Sequence, residues 1–317
     1  MEYGTDYAGT MADRSLPSRA LVTGGAGFVG HGVVSALVRR GVEVTVLDPG
    51  APHPRWPAGV RHVRGGVFDA LAEAAAGVEV IFHVAGVWDG RPGGDARMHR
   101  LNVEGTREVL GLGLPVVYTS SSITCGYGGS ERPGTEDEPS DIHTLRGTPK
   151  AYRETKLEAE RLVSEAGGLI VNPDYVVGPG DVGGVVTRPL LQAARLPIIP
   201  APPGGKCFVG VDDVGEGHVL AWLRGTPGRR YLLGAENRRY AEVIATIARL
   251  RGRPRPTLPL PAITASLVRR VPGLGPIAGA LEQMTHVRYR SSERARTELG
   301  WRPGPVDAAL KEMVGAS

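Results

Sequence analysis

Long apolar runs are missing from this 317-residue chain. No window approaches the roughly 18 uninterrupted hydrophobic residues of a membrane-spanning helix, so no membrane span is expected. Cysteine is nearly absent. Cys125 and Cys207 are too few for a disulfide framework or a multi-cysteine metal site, so no metal is expected and a reducing cytoplasm fits the composition. The first residues lack the charged-then-apolar layout of a secretory signal. Lysine is scarce as well: Lys150, Lys156, Lys206 and Lys311 are the only four, so arginine supplies nearly all the positive charge behind the net +4. The arginines are scattered beside apolar residues, as on the solvated faces of amphipathic elements. The densest group, Arg251, Arg253 and Arg255, sits in a proline-containing stretch without aromatics, so nucleic acid is not an expected partner.

What is abundant is glycine, 46 residues without collagen-like period, and an alternation of strand and helix patterns. Residues 1–18 are polar and patternless and read as a disordered lead-in. Apolar or β-branched runs follow at 20–23, 42–47, 60–64, 78–85, 114–120 and 169–172, with helical patterns at 28–40, 98–112 and 149–166. Strands alternating with helices imply right-handed crossovers and a parallel sheet. The expected fold is therefore α/β, a Rossmann-type doubly wound parallel sheet over 19–177. Strands near 207–235 are expected to return to it, and 178–206 with 236–317 to form a smaller, mostly helical substrate lobe.

Directly after the first strand stands Thr23-Gly24-Gly25-Ala26-Gly27-Phe28-Val29-Gly30, opening the first helix. Glycine at the turn admits backbone angles that a Cβ forbids, Gly27 lets a pyrophosphate approach the main chain, and Gly30 lets helix and strand pack closely. The helix N-terminus presents free N–H groups to that anion. Asp48 ends the next strand, where a carboxylate accepts hydrogen bonds from adenosine ribose hydroxyls and repels a 2′-phosphate. NAD(H) is accordingly expected rather than NADP(H). Asp69 either serves the adenine end or caps the following helix.

Tyr152 and Lys156 lie four apart in a helical pattern, hence on one face. At roughly 5 Å and an effective dielectric of about 20, an ammonium contributes about 3 kcal/mol. That is about two units off a phenol's usual pKa near 10. Tyr152 is thus expected to exchange a proton with a carbinol oxygen near neutral pH. The run Thr119-Ser120-Ser121-Ser122 ends a central strand, where a hydroxyl polarises a substrate oxygen. Pattern alone does not separate Ser121 from Ser122.

In order along residues 19–305, TGGAGFVG, the Asp48 strand end, HVAG (83–86), NVEGT (102–106), the TSS strand end, YRETK, NPDYVVGPGD (172–181), VDDVGEGH (211–218) and ARTELGWRP (295–303) resemble the extended short-chain dehydrogenase/reductase family. That resemblance implies a triad of Ser121, Tyr152 and Lys156. It implies a cofactor site of Gly24, Gly27, Phe28, Val29, Gly30, Asp48, Val67, Ala85, Thr119, Tyr152, Lys156 and Pro173, with Asn102 supporting the nicotinamide side. It also implies that Ser122, Asn172 and Lys206 face substrate, and that the protein is a homodimer.

The chain departs from the family at several points. Gly66 replaces the acid near adenine, Cys125 replaces a tyrosine, and the serine segment lacks the Asp-Glu pair of sugar 4,6-dehydratases. Lys206 stands where sugar-nucleotide epimerases carry arginine, and their later diphosphate-gripping arginine loop is unrecognisable. In its place the apolar stretch 263–284 resembles dihydroflavonol-reductase-like and hopanoid-associated-epimerase-like members. An NAD(H)-dependent oxidoreductase interconverting a ketone and a secondary alcohol on a small apolar molecule is therefore expected. A nucleotide-sugar epimerase that retains NAD is the alternative, and a non-catalytic nucleotide sensor a third.

Overall fold

Seven strands carry the fold, and the central ones, such as Val80–His83 and Val116–Thr119, are buried along their whole length, the pattern of strands covered on both faces. They are β1 (Arg19–Thr23), β2 (Glu43–Asp48), β3 (Arg61–Arg64), β4 (Val80–His83), β5 (Val116–Thr119), β6 (Leu169–Pro173) and, much later, β10 (Arg230–Leu233). The computed structural model describes residues 14–91, 93–140, 150–184, 186–273 and 275–316. All neighbours in the sheet order β10-β6-β5-β4-β1-β2-β3 are parallel, and the order reverses beside β1 and β4. Ligand crevices of doubly wound sheets open at such a reversal, outside the carboxyl ends of the strands.

Helices cover both faces. α1 (Phe28–Val38) and α7 (Val211–Arg224) lie over one apolar core, with Val22, Phe82, Val117 and Trp301 in it. α2 (Leu71–Ala74), α3 (Gly94–His99), α4 (Gly105–Leu110) and α5 (Lys150–Glu165) belong to the crossovers, and the second core holds Leu21, Ile81, Val109, Tyr118 and Val163. The helix expected over 98–112 is broken: Arg100–Glu104 widens into one π-helical turn between α3 and α4. Such turns concentrate at functional sites.

The remaining elements are β7 (Tyr175–Val177), α6 (Arg188–Ala193), β8 (Ile199–Ala201), β9 (Gly205–Gly210), β11 (Glu236–Arg239), α8 (Tyr240–Leu250), β12 (Thr257–Pro259), α9 (Thr264–Arg269), α10 (Gly275–Gln283), β13 (Val287–Arg288), α11 (Glu293–Glu298) and α12 (Val306–Gly315). A third core around Phe208, Tyr240, Ile244 and Leu310 holds many of them together. One expectation is corrected here. The strand read at 207–211 does not return to the main sheet: β9 pairs with β7, β11 and β13, while the edge beyond β6 is taken by β10. The lobe is mostly helical, as expected, and its short strands β11 and β13 join β9 and β7 in a separate four-stranded sheet.

The lead-in is corrected in part. Residues 1–13 lie outside the described residues, but 14–18, though mostly exposed, are tied down by hydrogen bonds. Arg14 donates to the carbonyls of Trp222 and Gly225 at 3.1 and 2.9 Å, satisfying acceptors that the end of α7 leaves open. Trp222 Nε1 donates back to the Ser15 carbonyl. No described helix is long and apolar enough to cross a membrane, and the described residues contain no cluster of His, Cys, Asp or Glu fit to hold a metal ion.

Candidate active site

At the reversal point the loop after β1 turns back on itself. Gly24 has φ +70°, and a Cβ there would lie 2.7 Å from the Ala85 backbone. A Cβ on Gly30 would meet the Gly24 carbonyl oxygen at 2.1 Å. The loop therefore closes only with glycine at both positions. Gly27 caps α1 with no side chain bonded to the first-turn N–H groups, leaving them to an anion. Asp48 is held by two backbone donors, Ala26 N–H at 3.1 Å and Gly50 N–H at 2.8 Å. A carboxylate has about four acceptor positions, so two remain for a ligand hydroxyl.

One cavity of about 1640 Å³ runs from this loop to the lobe. Its wall brings together Gly24, Gly27, Phe28, Val29, Gly30, Asp48, Ala85, Thr119, Ser121, Ser122, Tyr152, Lys156, Pro173 and Lys206. The volume exceeds the 300–1,000 Å³ or so of ordinary ligand pockets, which leaves room for a dinucleotide and a substrate together. A glycine cradle, an uncapped helix start and an anchored acid are the fittings a dinucleotide requires.

Ser121 and Ser122, inseparable by pattern, differ in the structure. Ser122 is buried and its hydroxyl donates to Asp174 at 2.8 Å. Ser121, partly exposed, caps the 3₁₀ turn Ser122–Thr124 and hydrogen-bonds the Tyr152 phenol, a contact that favours the phenolate. Burial nevertheless wins at Tyr152 and raises its pKa.

The expected lowering of Tyr152 by Lys156 is thus not seen. The ammonium instead donates to Tyr118 Oη at 3.1 Å and the Thr119 carbonyl at 2.9 Å. Burial pushes Lys156 itself down to about 8, opposed by the Glu160 carboxylate one helical turn on.

Three expected residues lie off the cavity wall. Asn172 is fully buried rather than facing substrate: its amide donates to Glu160, Thr124 and the Ser121 carbonyl at 2.6, 3.0 and 3.2 Å. Asn102, carried on the π turn, exchanges two hydrogen bonds with the Val87 backbone and donates to Thr155, fastening the wall segment 85–87 to α5. Val67 packs in the core. Asp69 turns to the Gly66 N–H at 2.6 Å, closing its own turn.

Other residues escaped the sequence reading. Asp174 follows Pro173 and accepts from Ser122, Lys206 at 2.7 Å and Arg290 at 2.8 Å. These partners hold its carboxyl down at about 2, against burial. Asp174 lay inside the quoted NPDYVVGPGD segment, whereas Arg290 carried no local signal. Asp89 binds Arg91 and Arg97 at the rim. The lobe's part of the wall is apolar, with Leu190, Ala193, Pro200, Tyr240, Ile244 and Met284, and carries Arg288 beside Lys206.

Fold and site together define a dinucleotide-binding α/β protein of the extended short-chain dehydrogenase/reductase type. The chain belongs to the NAD dependent epimerase/dehydratase family, whose model matches residues 20–234. It is 30% identical to a putative dihydroflavonol 4-reductase of Synechocystis sp., over 92% of each chain. It is 33% identical to a 4-hydroxy-2-methyl-3-oxo-4-farnesyl-3,4-dihydroquinoline-1-oxide ketoreductase of Stigmatella aurantiaca, over 68% of this chain and 67% of that one. The solved structure of gox2253 superposes with a TM-score of 0.72 at 29% identity, covering 94% of this chain and 97% of that one.

Proposed function

We propose that the protein is an NAD(H)-dependent reductase that interconverts a ketone and a secondary alcohol on a moderately apolar small molecule. The observation that carries this is the pairing of the hydrogen-bonded Ser121 and Tyr152 hydroxyls with an apolar lobe wall in one cavity. Reductase-named relatives support it.

The dinucleotide, when bound, supplies or accepts the hydride. Everything else falls to the chain. Ser121 donates a hydrogen bond to the carbonyl oxygen and polarises it. Tyr152 gives that oxygen a proton as charge develops, so the carbonyl carbon gains hydride, the oxygen gains H⁺, and a neutral alcohol leaves. A phenol with a raised pKa is protonated at neutral pH, which suits it to act as the acid. The Lys156 ammonium stabilises the phenolate left behind, and Gly24, Gly27, Gly30 and Asp48 hold the dinucleotide.

A nucleotide-sugar epimerase is the second reading, favoured by cationic side chains on the wall. Those groups already have partners: Arg91 and Arg97 bind Asp89, Lys206 binds Asp174, and Arg288 donates to the Gln283 carbonyl. A diphosphate would have to displace them. Mixing NADH with a panel of apolar ketones is expected to consume the near-ultraviolet absorbance of the reduced ring. Conversion of a nucleotide sugar with no absorbance change would favour the epimerase instead. Asp48→Ala is expected to shift the ratio of kcat/KM for NADH over NADPH toward NADPH by at least about tenfold, ~1.4 kcal/mol. An unchanged ratio would remove Asp48 from cofactor selection.

A further inference from the structure

Five polar side chains at and behind the cavity wall do no work in the account so far except through Lys156. Thr23 ends β1, His83 ends β4, Thr106 lies in α4, Tyr118 in β5 and Lys156 in α5; the first four are fully buried and Lys156 is 3% exposed. Thr23 Oγ1 lies 2.7 Å from His83 Nδ1, and His83 Nε2 lies 3.1 Å from Thr106 Oγ1. Thr106 Oγ1 donates to the Asn102 carbonyl at 2.7 Å and is hydrogen-bonded to the Tyr118 hydroxyl. Tyr118 Oη in turn meets Lys156 Nζ at 3.1 Å.

The proton of each link follows from its neighbours. A carbonyl only accepts, so the single Thr106 proton is committed to Asn102. Toward His83 the Thr106 oxygen is then an acceptor. His83 is kept neutral by burial, which lowers its pKa to about 3, so it has one donor and one acceptor nitrogen. Nε2 carries the hydrogen, and Nδ1 accepts from Thr23, whose oxygen receives the Ala85 N–H at 3.3 Å. Lys156 can only donate, so Tyr118 presents a lone pair to it.

We infer that Tyr118, oriented by Thr106 and His83, is a positioning residue that holds the Lys156 ammonium at the cavity wall and in its charged form. The inference rests on the role proposed above for Lys156. It ties that lysine to the dinucleotide loop, because Thr23 immediately precedes Gly24 and Ala85 packs against it. The ionisable groups facing Lys156 are Tyr118 from β5, His83 from β4, and Tyr152 and Glu160 from its own helix. Glu160 favours the ammonium and burial opposes it. Apart from the Thr119 carbonyl, Tyr118 is the acceptor the ammonium reaches directly.

With only four lysines in the chain, isotope-labelled lysine gives side-chain resonances that can be followed by NMR through a pH titration, independently of activity. Tyr118→Phe is expected to lower the Lys156 midpoint by about one pH unit, the tenfold change that loss of one charge-assisted hydrogen bond brings. The alkaline limb of kcat moves down with it, while substrate KM stays within about twofold. Thr106→Val shifts both in the same direction by less, and the double variant shifts no further than Tyr118→Phe alone, as expected for one network. If Tyr118→Phe does not fold, Thr106→Val against Thr106→Ser decides on the same two readouts, with serine restoring both. A Lys156 midpoint and a pH profile identical to the parent protein's would overturn the inference. Full turnover in Lys156→Ala would instead overturn the proposed reaction, leaving the NMR result to stand by itself.

Discussion

Tyr152→Phe is expected to lower kcat by about 10²–10⁴-fold, the usual contribution of a positioned acid, while NAD(H) affinity stays within about twofold. The separation follows from where the hydroxyl sits. Its ring belongs to α5 and lines the cavity, and its oxygen meets Ser121, whereas the cradle proposed for the dinucleotide lies at β1, α1 and Asp48. Phenylalanine keeps the ring and removes only the proton donor. Ser121 is left to polarise the oxygen alone, so a small residual rate is expected. Steady-state kinetics and cofactor titration on the same preparation separate the two effects. Near-parent kcat would remove Tyr152 from the reaction.

The second large effect concerns stability. Asp174 has no exposed side-chain surface and faces two cations, Lys206 and Arg290, the latter also without exposed side-chain surface. Asp174→Ala leaves Arg290 charged and buried with the Gly126 carbonyl as its remaining side-chain acceptor, since Arg290 Nη2 has no partner among the described residues. Breaking one side of such a pair costs about 3–5 kcal/mol. In a chain of this size the unfolding midpoint is expected to fall by roughly 5–8 °C. A loss below about 1 kcal/mol by thermal or urea unfolding would show that the cluster relaxes to solvent.

Asp174 also makes a pH signature. Its carboxyl is held at about 2, below the ordinary value near 4, so its contribution to stability is complete above about pH 4. It is lost as pH falls from there toward 2, because the unfolded chain takes up the proton first. Asp174→Asn removes this part of the acid-unfolding curve.

How much of this was legible in the sequence depends on the range of the interactions. β1, the glycine turn, α1 and β2 could be read because each is local: apolar or β-branched runs, a turn that admits no Cβ, an acid at a strand end. Tyr152 and Lys156 could be read because four residues is one helical turn. β9 looked like another sheet strand, since an apolar run does not say which edge it will join. The opposite edge of β6 was filled by β10 only through a pairing across some sixty residues. Asn172 sits in a strand whose neighbours were correctly placed. Its inward direction depends on Glu160, Thr124 and the Ser121 carbonyl, groups from two other elements.

The same holds for Lys156. Spacing put Tyr152 beside it, but the structure gives the ammonium to Tyr118, 38 residues earlier, because β5 runs directly beneath α5. Arg290 is the clearest case: it meets Asp174 across 116 residues, and no periodicity records that contact. The π turn at Arg100–Glu104 contains neither glycine nor proline, so nothing in its composition marked the break that carries Asn102 to Val87.

The most direct test is a crystal structure of the protein with NAD⁺ bound. The account predicts the adenosine ribose at Asp48, the pyrophosphate over Gly27, and the nicotinamide ring beside Tyr152, with the Tyr152 hydroxyl and the Lys156 ammonium converging on that end of the dinucleotide. A nicotinamide lying away from Tyr152, or a Tyr152 hydroxyl turned out of the cavity, would contradict it.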